Sequence, residues 1–550
     1  MKKILVPLCV MAGMVTMGAG TGARAADNVQ AQLDQLKQRI VELEEVQKKL
    51  SDLKKQVADL ESSQQKKPIE DLQRQITEVK THDANDNIKW NIDFRTAYER
   101  VDHSMGSGML PTGVYNMSIP AEYGYGMFAP AGKSDSDNAL WTNKLILGMA
   151  AQPTDNLVFH GALGVYTVFG QDNMNMTSMF QDFDWYATQK PQHDAVLRLR
   201  EAYFLYTGEM GAIPYTASLG RRPSVDGFTT NLREDNPTPS SPIGHNINME
   251  FDGGSFKVDL EKVSNVSGLY AKLCLGRGFS NTLGMYSMSN QYNFNAPYGD
   301  DGQNPDMDLA GLLMQLYDNG QYKLMGNVFQ GWNMMGMGLD IAMSDPTAMS
   351  GTYTMSPNGF HDVGDMSGWA LSLQVNGLGN DINTFLDDTI VFLSFAGMQT
   401  DPNNATVNTL NGSDAMASSM GFGGEGMLGS TDNESGYSIY AGINIPAFFT
   451  KDRFGLEYNY GSKYWRSFTY GEDTLAGSKL ATRGHAYEAY YTFPIVKEYL
   501  TGEIRYVYMD YNYAGSDTFF GQTGDPDGMM GMMPYVESAS DIRFSIRYRF

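Results

Sequence analysis

The chain has 550 residues, with 40 Lys+Arg against 63 Asp+Glu, a formal charge of -23 and only 2 Cys, so it is neither a disulfide-stapled scaffold nor a basic nucleic-acid binder. Affinity for a phosphate backbone rests on Lys and Arg displacing condensed counterions, and this charge balance repels such a polymer. No nucleic acid is expected as a partner.

The first element reads as an export signal. Met1 to Lys3 give a positive start, Ile4 to Gly20 carry no charge, and Ala23-Arg24-Ala25 precedes Ala26-Asp27, the small-x-small pattern of a cleavage site. The expected signal peptide is 1–25. Cys9 lies inside the apolar stretch behind Leu8, whereas lipid attachment wants a small residue there. The expected mature chain keeps Cys274 alone, so no intramolecular disulfide is expected. No later run of about 18 apolar residues offers a membrane helix, which leaves a soluble secreted protein or a membrane β-barrel.

The second element, 26–87, is predicted to be an α-helical coiled coil. Leu33, Leu36, Ile40, Leu43, Val46, Leu50, Leu53, Val57 and Leu60 are spaced by 3 or 4, and Ile69, Leu72, Ile76 and Val79 resume the rhythm after Pro68. An isolated helix with such a stripe has no core to cover, so self-association is expected, with a homotrimer favoured and a dimer left open. A contact with the cell wall or a periplasmic protein is the second use considered for it.

The third element, 88–550, alternates. Ile88, Trp90, Ile92, Phe94 and Tyr98 fall on one face, with Lys89, Asn91, Asp93, Arg95 and Glu99 on the other. Ile542, Phe544, Ile546, Tyr548 and Phe550 alternate with charged or polar residues in the same way at the chain's end. An aromatic terminus of this kind resembles the signature of bacterial outer-membrane barrels. Between these segments the pattern predicts sixteen strands: 88–100, 139–151, 156–168, 195–207, 213–222, 246–260, 267–277, 306–317, 321–333, 368–377, 388–399, 435–446, 453–465, 480–493, 499–512 and 539–550. Long connections such as 101–138, 169–194, 334–367 and 400–434 alternate with short ones such as 152–156, 318–320 and 494–499. That sorting predicts an all-β fold, a transmembrane antiparallel β-barrel preceded by a periplasmic coiled coil. About sixteen strands leave a lumen too wide for side chains to fill.

Charge concentrates in the barrel. The first 87 residues hold 13 of the 40 basic and 13 of the 63 acidic side chains, leaving 27 and 50 to the rest. If the barrel closes, Lys89, Arg95, Arg543, Arg547 and Arg549 form an internal basic stripe, extended by Arg453 and Arg505, with Asp93, Glu99, Glu457 and Glu503 interleaved. A second basic group is Arg198, Arg200, Arg221 and Arg222. These are the expected pore-lining residues. They read either as an ion-pair lattice on a wet wall or as a field that sorts solutes. The third long loop, 223–245, carries Asp226, Arg233, Glu234 and Asp235 and is the expected constriction, an acidic loop facing a basic wall.

Residues 218–234, SLGRRPSVDGFTTNLRE, resemble a sparsely characterised family of bacterial outer-membrane porin-like proteins with an N-terminal coiled coil. The resemblance implies the porin class and no particular substrate. Coiled coil before barrel is also similar to the arrangement of sugar- and phosphate-specific porins, which are trimers, although no long lysine ladder suggests phosphate here. Outer-membrane lipid and lipopolysaccharide are then the expected surroundings.

Metal and catalytic signals are weak. Met174, Met176 and Met179, Met334, Met335 and Met337, and Met529, Met530, Met532 and Met533 cluster in expected external loops, where thioethers suit either Cu(I) or adaptable packing. Asp135 and Asp137, and Asp300, Asp301, Asp306 and Asp308, complete no twelve-residue calcium loop. The 7 His are scattered singly, and no metalloprotease, serine-hydrolase, P-loop or haem motif occurs. No metal site, cofactor or catalytic residue is expected. The sequence reads as a porin passing small hydrophilic solutes or ions, with a structural tether or a barrel holding a metal- or electron-handling partner as alternatives.

Overall fold

The computed structural model describes residues 88–105, 135–170, 189–191, 196–222, 224–236, 238–279, 306–343, 353–379, 382–403, 426–449, 451–513 and 536–550, with short pieces at 282–283, 299–300, 409–410, 412–413 and 515. Of the segment before residue 88 it describes only helical positions at 45, 48, 49, 51, 52, 54 and 55. There Lys49 pairs with Glu45 at 3.3 Å, one turn away. Contacts divide the chain at 87/88, and the expected signal peptide and every residue of the expected heptad stripe lie outside the described residues.

The second unit is a closed antiparallel barrel of sixteen strands: β1 Lys89–Met105, β2 Asp135–Thr154, β3 Leu157–Val168, β4 Arg198–Met210, β5 Ile213–Arg222, β6 Phe251–Asp259, β7 Tyr270–Phe279, β8 Met307–Asp318, β9 Tyr322–Met343, β10 Tyr353–Asn376, β11 Ile390–Pro402, β12 Ser435–Pro446, β13 Arg453–Gly461, β14 Gly484–Val496, β15 Leu500–Tyr511 and β16 Val536–Arg549. Each strand pairs with its neighbour in sequence, and β1 pairs with β16 from Asp93 opposite Arg549 to Met105 opposite Val536. Closure leaves no strand edge, which is what a sheet in hydrocarbon requires.

Alternation sorts the two faces. Trp90, Phe94, Leu219, Leu275, Val328, Leu371, Leu456, Ile504 and Phe544 stand exposed on the outside. Their strand neighbours turn inward and, except for exposed Lys89 and Asn91 beside Trp90, are buried or half-buried. Aromatic pairs mark both ends of the outer face, Tyr98 with Trp141 toward the long loops and Tyr499 with Phe550 at the end that holds the chain terminus. The sixth strand begins at Phe251 rather than 246, and Asp252-Gly253-Gly254 runs through it in unbroken register rather than as a bulge or turn. The expected loop 334–367 is corrected too, because β9 and β10 continue to Met343 and start at Tyr353, extending one hairpin. The thirteenth strand stops at Gly461 and the fourteenth starts at Gly484, which frees a 462–483 segment that alternation alone had partly absorbed into strands.

Candidate functional site: the two-loop lumen

Among the described residues two long connections from the same end of the barrel fold into it, 223–250 between β5 and β6 and 462–483 between β13 and β14, and short pieces of two others are buried beside them at Gln189 and at Met427 and Leu428. They join backbone to backbone. Asn248 N–H donates to the Phe468 carbonyl at 2.6 Å and Phe468 N–H to the Asn246 carbonyl at 3.0 Å, around the parallel bridge of Ile247 and Phe468. Their apolar side chains account for the inward turn. Phe228, Ile243, Ile247 and Met249 from one loop and Trp465, Phe468 and Tyr470 from the other pack on inward Leu313, Met325, Phe329, Met366 and Met398 of β8 to β11. Burying several large apolar groups offsets the entropy of ordering both loops.

The opposite wall is charged. Strand register sets Arg95 directly opposite both Lys144 and Arg547, and Arg505 opposite Arg543. Like charges facing one another across strands are destabilising unless counter-charges reach them. The two loops supply these. Asp473 accepts from Arg95 Nη1 at 2.7 Å and from Lys144 Nζ at 2.8 Å, and lies 3.3 Å from Arg543. Glu234 accepts from Arg505 at 2.9 Å and lies 3.6 Å from Arg547. Strand carboxylates complete the lattice, with Asp93 on Arg547 at 2.7 Å, Glu99 on Arg543 at 3.3 Å and Glu503 on Arg505 at 3.0 Å.

A deeper cluster lies where the loops cross. Arg233, fully buried, contacts Glu472 and reaches Glu488 at 3.3 Å, while Lys479 contacts Glu457 and Glu488 and Tyr440 donates to Glu457 at 2.6 Å. Charges this far from water persist only when paired and hydrogen-bonded.

His245 anchors the first loop to the far wall. Asn459 Nδ2 donates to the Lys479 carbonyl, so its Oδ1 accepts the Ser438 hydroxyl. Ser438 Oγ is then left to accept from His245 Nε2 at 2.8 Å, and His245 Nδ1 accepts from Ser394 at 2.7 Å. Ser372 completes the chain on Ser394 at 2.6 Å. The ring is saturated and fully buried between Tyr440 and Trp465, a structural role.

The loop groups titrate abnormally. Burial would raise the carboxyl of Asp473, but Arg95, Lys144 and Arg543 hold it well below the usual carboxylate range. Glu234 is likewise opposed by burial and held low by Arg505, with Arg233 and Arg547 adding to the effect. Asp226 goes the other way, pushed up to about 6 by burial and by the charge of Glu234. Burial pushes His245 down to about 3 and Lys190 down to about 8, and raises Glu250 to about 7 against the pull of Arg200.

The model of a family described as a protein of unknown function, DUF3373, matches residues 134–550, a span that takes in β2 to β16, both inward loops and the 218–234 motif. The chain belongs to that family. The match starts beyond the heptad segment. No curated protein matches the chain. Among solved structures, an anion-selective porin from Comamonas acidovorans is 11% identical over 84% of this chain and 99% of its own, with a TM-score of 0.41. The high-pH structure of Pseudomonas putida OprB is 12% identical over 86% and 96%, with a TM-score of 0.39. The trimer form of OmpT, an outer membrane protein of Vibrio cholerae, is 9% identical over 84% and 99%, with a TM-score of 0.38.

In this DUF3373 chain the expected pore-lining residues divide. Arg95, Arg505, Arg543 and Arg547 stand together in the lattice, and Arg549 joins its end by donating to Asp235 at 2.6 Å. Lys89 is exposed at the start of β1 on the same face as Arg95. Arg200 is buried on Glu250 at 2.9 Å beside a bulge of β4, and Arg198 is half-buried at the start of that strand. Arg453 donates to the Asn444 side chain and, at 2.9 Å, to its carbonyl. Arg221 is corrected. It shares the outer face with Leu219 and pairs there with Asp252 at 2.8 Å, because adjacent strand residues cannot both point inward and Arg222 takes the lumen side.

Of the expected constriction residues, Arg233, Glu234 and Asp235 meet the barrel's charges, while Asp226 holds Gln189 at 3.3 Å. Met334 and Met335 are fully buried in the internal apolar core, not displayed in an external loop, and Met174, Met176, Met179 and Met529 to Met533 lie outside the described residues. Sequence reasoning missed Lys144, Glu472, Asp473, Lys479 and Glu488. A signal existed: Trp465, Phe468, Tyr470 and Leu480 are too many apolar groups for a loop that faces water.

Proposed function

We propose that the chain is an outer-membrane porin through which small hydrophilic solutes or ions diffuse, with its constriction built by segments 223–250 and 462–483 against the basic wall. The observation that carries this reading is the inward folding of two loops across a sixteen-strand lumen, with their carboxylates on Arg95, Arg505 and Arg543. A barrel of this size is wider than its wall side chains can fill, and loops that narrow it determine what passes. Because most lattice cations are paired, the wall's field is largely cancelled, which supports weak rather than strong ion preference. The apolar outer face and its aromatic ends support placement in the outer membrane. No residue is assigned a catalytic role. In this reading 1–25 is the export signal, 26–87 the periplasmic coiled coil that associates three copies, and 88–550 the barrel.

A second reading draws on the completeness of the internal apolar core. There the loops close the barrel, which then serves as an anchor for the coiled coil. Single-channel recording from detergent-folded protein separates the two. Conductance in triplet steps, with a small reversal potential in a salt gradient, is expected of the porin. A silent bilayer from folded protein would move the function to the anchor.

A further inference from the structure

On the charged wall of β1, β2, β15 and β16 the inward Arg95, Lys144, Arg505, Arg543, Arg547 and Arg549 each have a carboxylate partner, exposed Lys89 standing apart, which makes a second group of inward cations conspicuous. Arg222 on β5, Lys257 on β6 and Lys272 on β7 face the lumen on adjacent strands, half-buried. Lys257 stands directly opposite Lys272 in the strand register. Among the described residues none of the three takes part in an ion pair, and no loop carboxylate reaches them as Asp473 and Glu234 reach the other wall. The titratable groups facing Arg222 are Cys274 and Tyr203, and those facing Lys272 are Arg222, Cys274 and Lys257. Arg222 donates to Ser255 and lies over the Tyr203 ring at 5.8 Å, yet its Nε is buried without an acceptor. Lys257 rests on the Tyr270 ring at 4.1 Å. A buried guanidinium nitrogen with no acceptor, beside two opposed ammonium groups, is a place that an anion stabilises.

The cavity next to these cations defines the anion further. It measures about 90 Å³ and is lined by Arg222, Lys272 and Cys274 together with apolar Ile247, Phe329 and Leu313, while Lys257 stands outside its lining, opposite Lys272 in the register. Its floor is bare backbone at Gly253 and Gly276, directly opposite one another across β6 and β7. A Cβ at Gly253 would lie 2.0 Å from the Leu275 carbonyl oxygen, so this floor holds no side chain. An apolar cavity of about 150 Å³ holds benzene, so one of 90 Å³ suits a tail of roughly three carbons better than a ring.

We propose that Arg222, Lys257 and Lys272 form a lumenal binding site for a short-chain monocarboxylate, its carboxylate among the three cations and its alkyl tail over Gly253 and Gly276. The proposal rests on the porin reading for its purpose, as a solute-binding step on the way through, but the site is tested without conduction.

The probe is sodium butyrate, titrated calorimetrically into the detergent-folded full chain. Saturable binding is expected, weakened about tenfold or more in Arg222→Gln and Lys272→Gln, and unchanged in Arg277→Gln, whose parent side chain pairs with Asp308 on the outer face. Acetate, benzoate and inorganic phosphate should each bind less tightly than butyrate. A second measurement needs no substitution. An anionic methanethiosulfonate should modify Cys274 faster than a cationic one, and butyrate should slow that reaction. No butyrate binding, equal binding by the two Gln variants, or phosphate binding as tightly as butyrate would each overturn the proposal. So would faster modification of Cys274 by the cationic reagent. A silent bilayer with butyrate binding intact would overturn the porin reading and leave the site standing.

Discussion

The carboxylate of Asp473 accepts from both terminal nitrogens of Arg95, at 2.7 and 3.0 Å, across 378 positions of sequence. One is on the first strand and the other in a loop that enters the barrel from its last quarter, and both are almost fully buried. Lys144 and Arg543 converge on the same carboxylate, so one loop residue is shared by three of the like charges that strand register sets on this wall.

Asp473→Asn should therefore destabilise the barrel by about 3–5 kcal/mol, the usual result of leaving buried charges without a partner. Urea unfolding of the detergent-folded protein, followed by the loss of heat-modifiable migration, measures it. In a bilayer the same variant should shift the reversal potential toward anions, because it adds one uncompensated positive charge to the lumen.

Asp226 makes stability fall as pH rises. Its folded pKa of about 6 lies above the ordinary carboxyl value near 4, so between these pH values the folded state binds more protons than the unfolded one. The stability lost across that window is about 3 kcal/mol, and Asp226→Asn should abolish it. Unfolding curves of both proteins from pH 4 to 7 should converge at the acid end and separate at the neutral end.

His245 acts in the opposite sense. Burial holds its folded pKa at about 3, below the ordinary value near 6.5, so the unfolded state binds more protons between the two and stability is lost as pH falls through that window. His245→Phe keeps the ring against Tyr440 and Trp465 but removes two hydrogen bonds to serine. It should cost about 1–3 kcal/mol at pH 7 and flatten this part of the acid limb, read in the same unfolding series.

Phe468 joins the two inward loops and meets Phe251 and Phe329 edge to face at 6.1 and 5.6 Å. Phe468→Ala should lower stability by about 3–5 kcal/mol through the cavity it leaves. Single-channel conductance should rise, because segment 462–483 loses its apolar anchor. Unchanged conductance from folded variant protein would remove that segment from the constriction.

Much of the architecture was legible. Alternation at Ile88 to Tyr98 and Ile542 to Phe550 placed the first and last strands, and both 213–222 and 435–446 coincide with strands as built. Alternation also held the correct answer for Arg221 and Arg222, since neighbours in a strand point to opposite faces; grouping them by charge rather than by parity misplaced one of the pair. The 462–483 segment was harder to read. Its Trp465 and Leu480 resemble strand continuations in one dimension, and only tertiary packing, of Trp465 with Phe468 and of Leu480 with Phe392 and Tyr440, makes them a loop core.

The sequence by itself determined the period-two pattern, the strand number and the line of Arg95, Arg543 and Arg547 on one face, because a side chain's face in a strand depends on parity alone. Only the tertiary structure decided which charges meet. Asp473, Glu234 and Glu488 lie on segments with no local rule linking them to Arg95, Arg505 or Lys479, and their partners are set by where two loops find apolar surface inside a closed barrel. The same packing leaves Arg222, Lys257 and Lys272 beyond the reach of the loop carboxylates, a feature of spacing in three dimensions that no periodicity encodes.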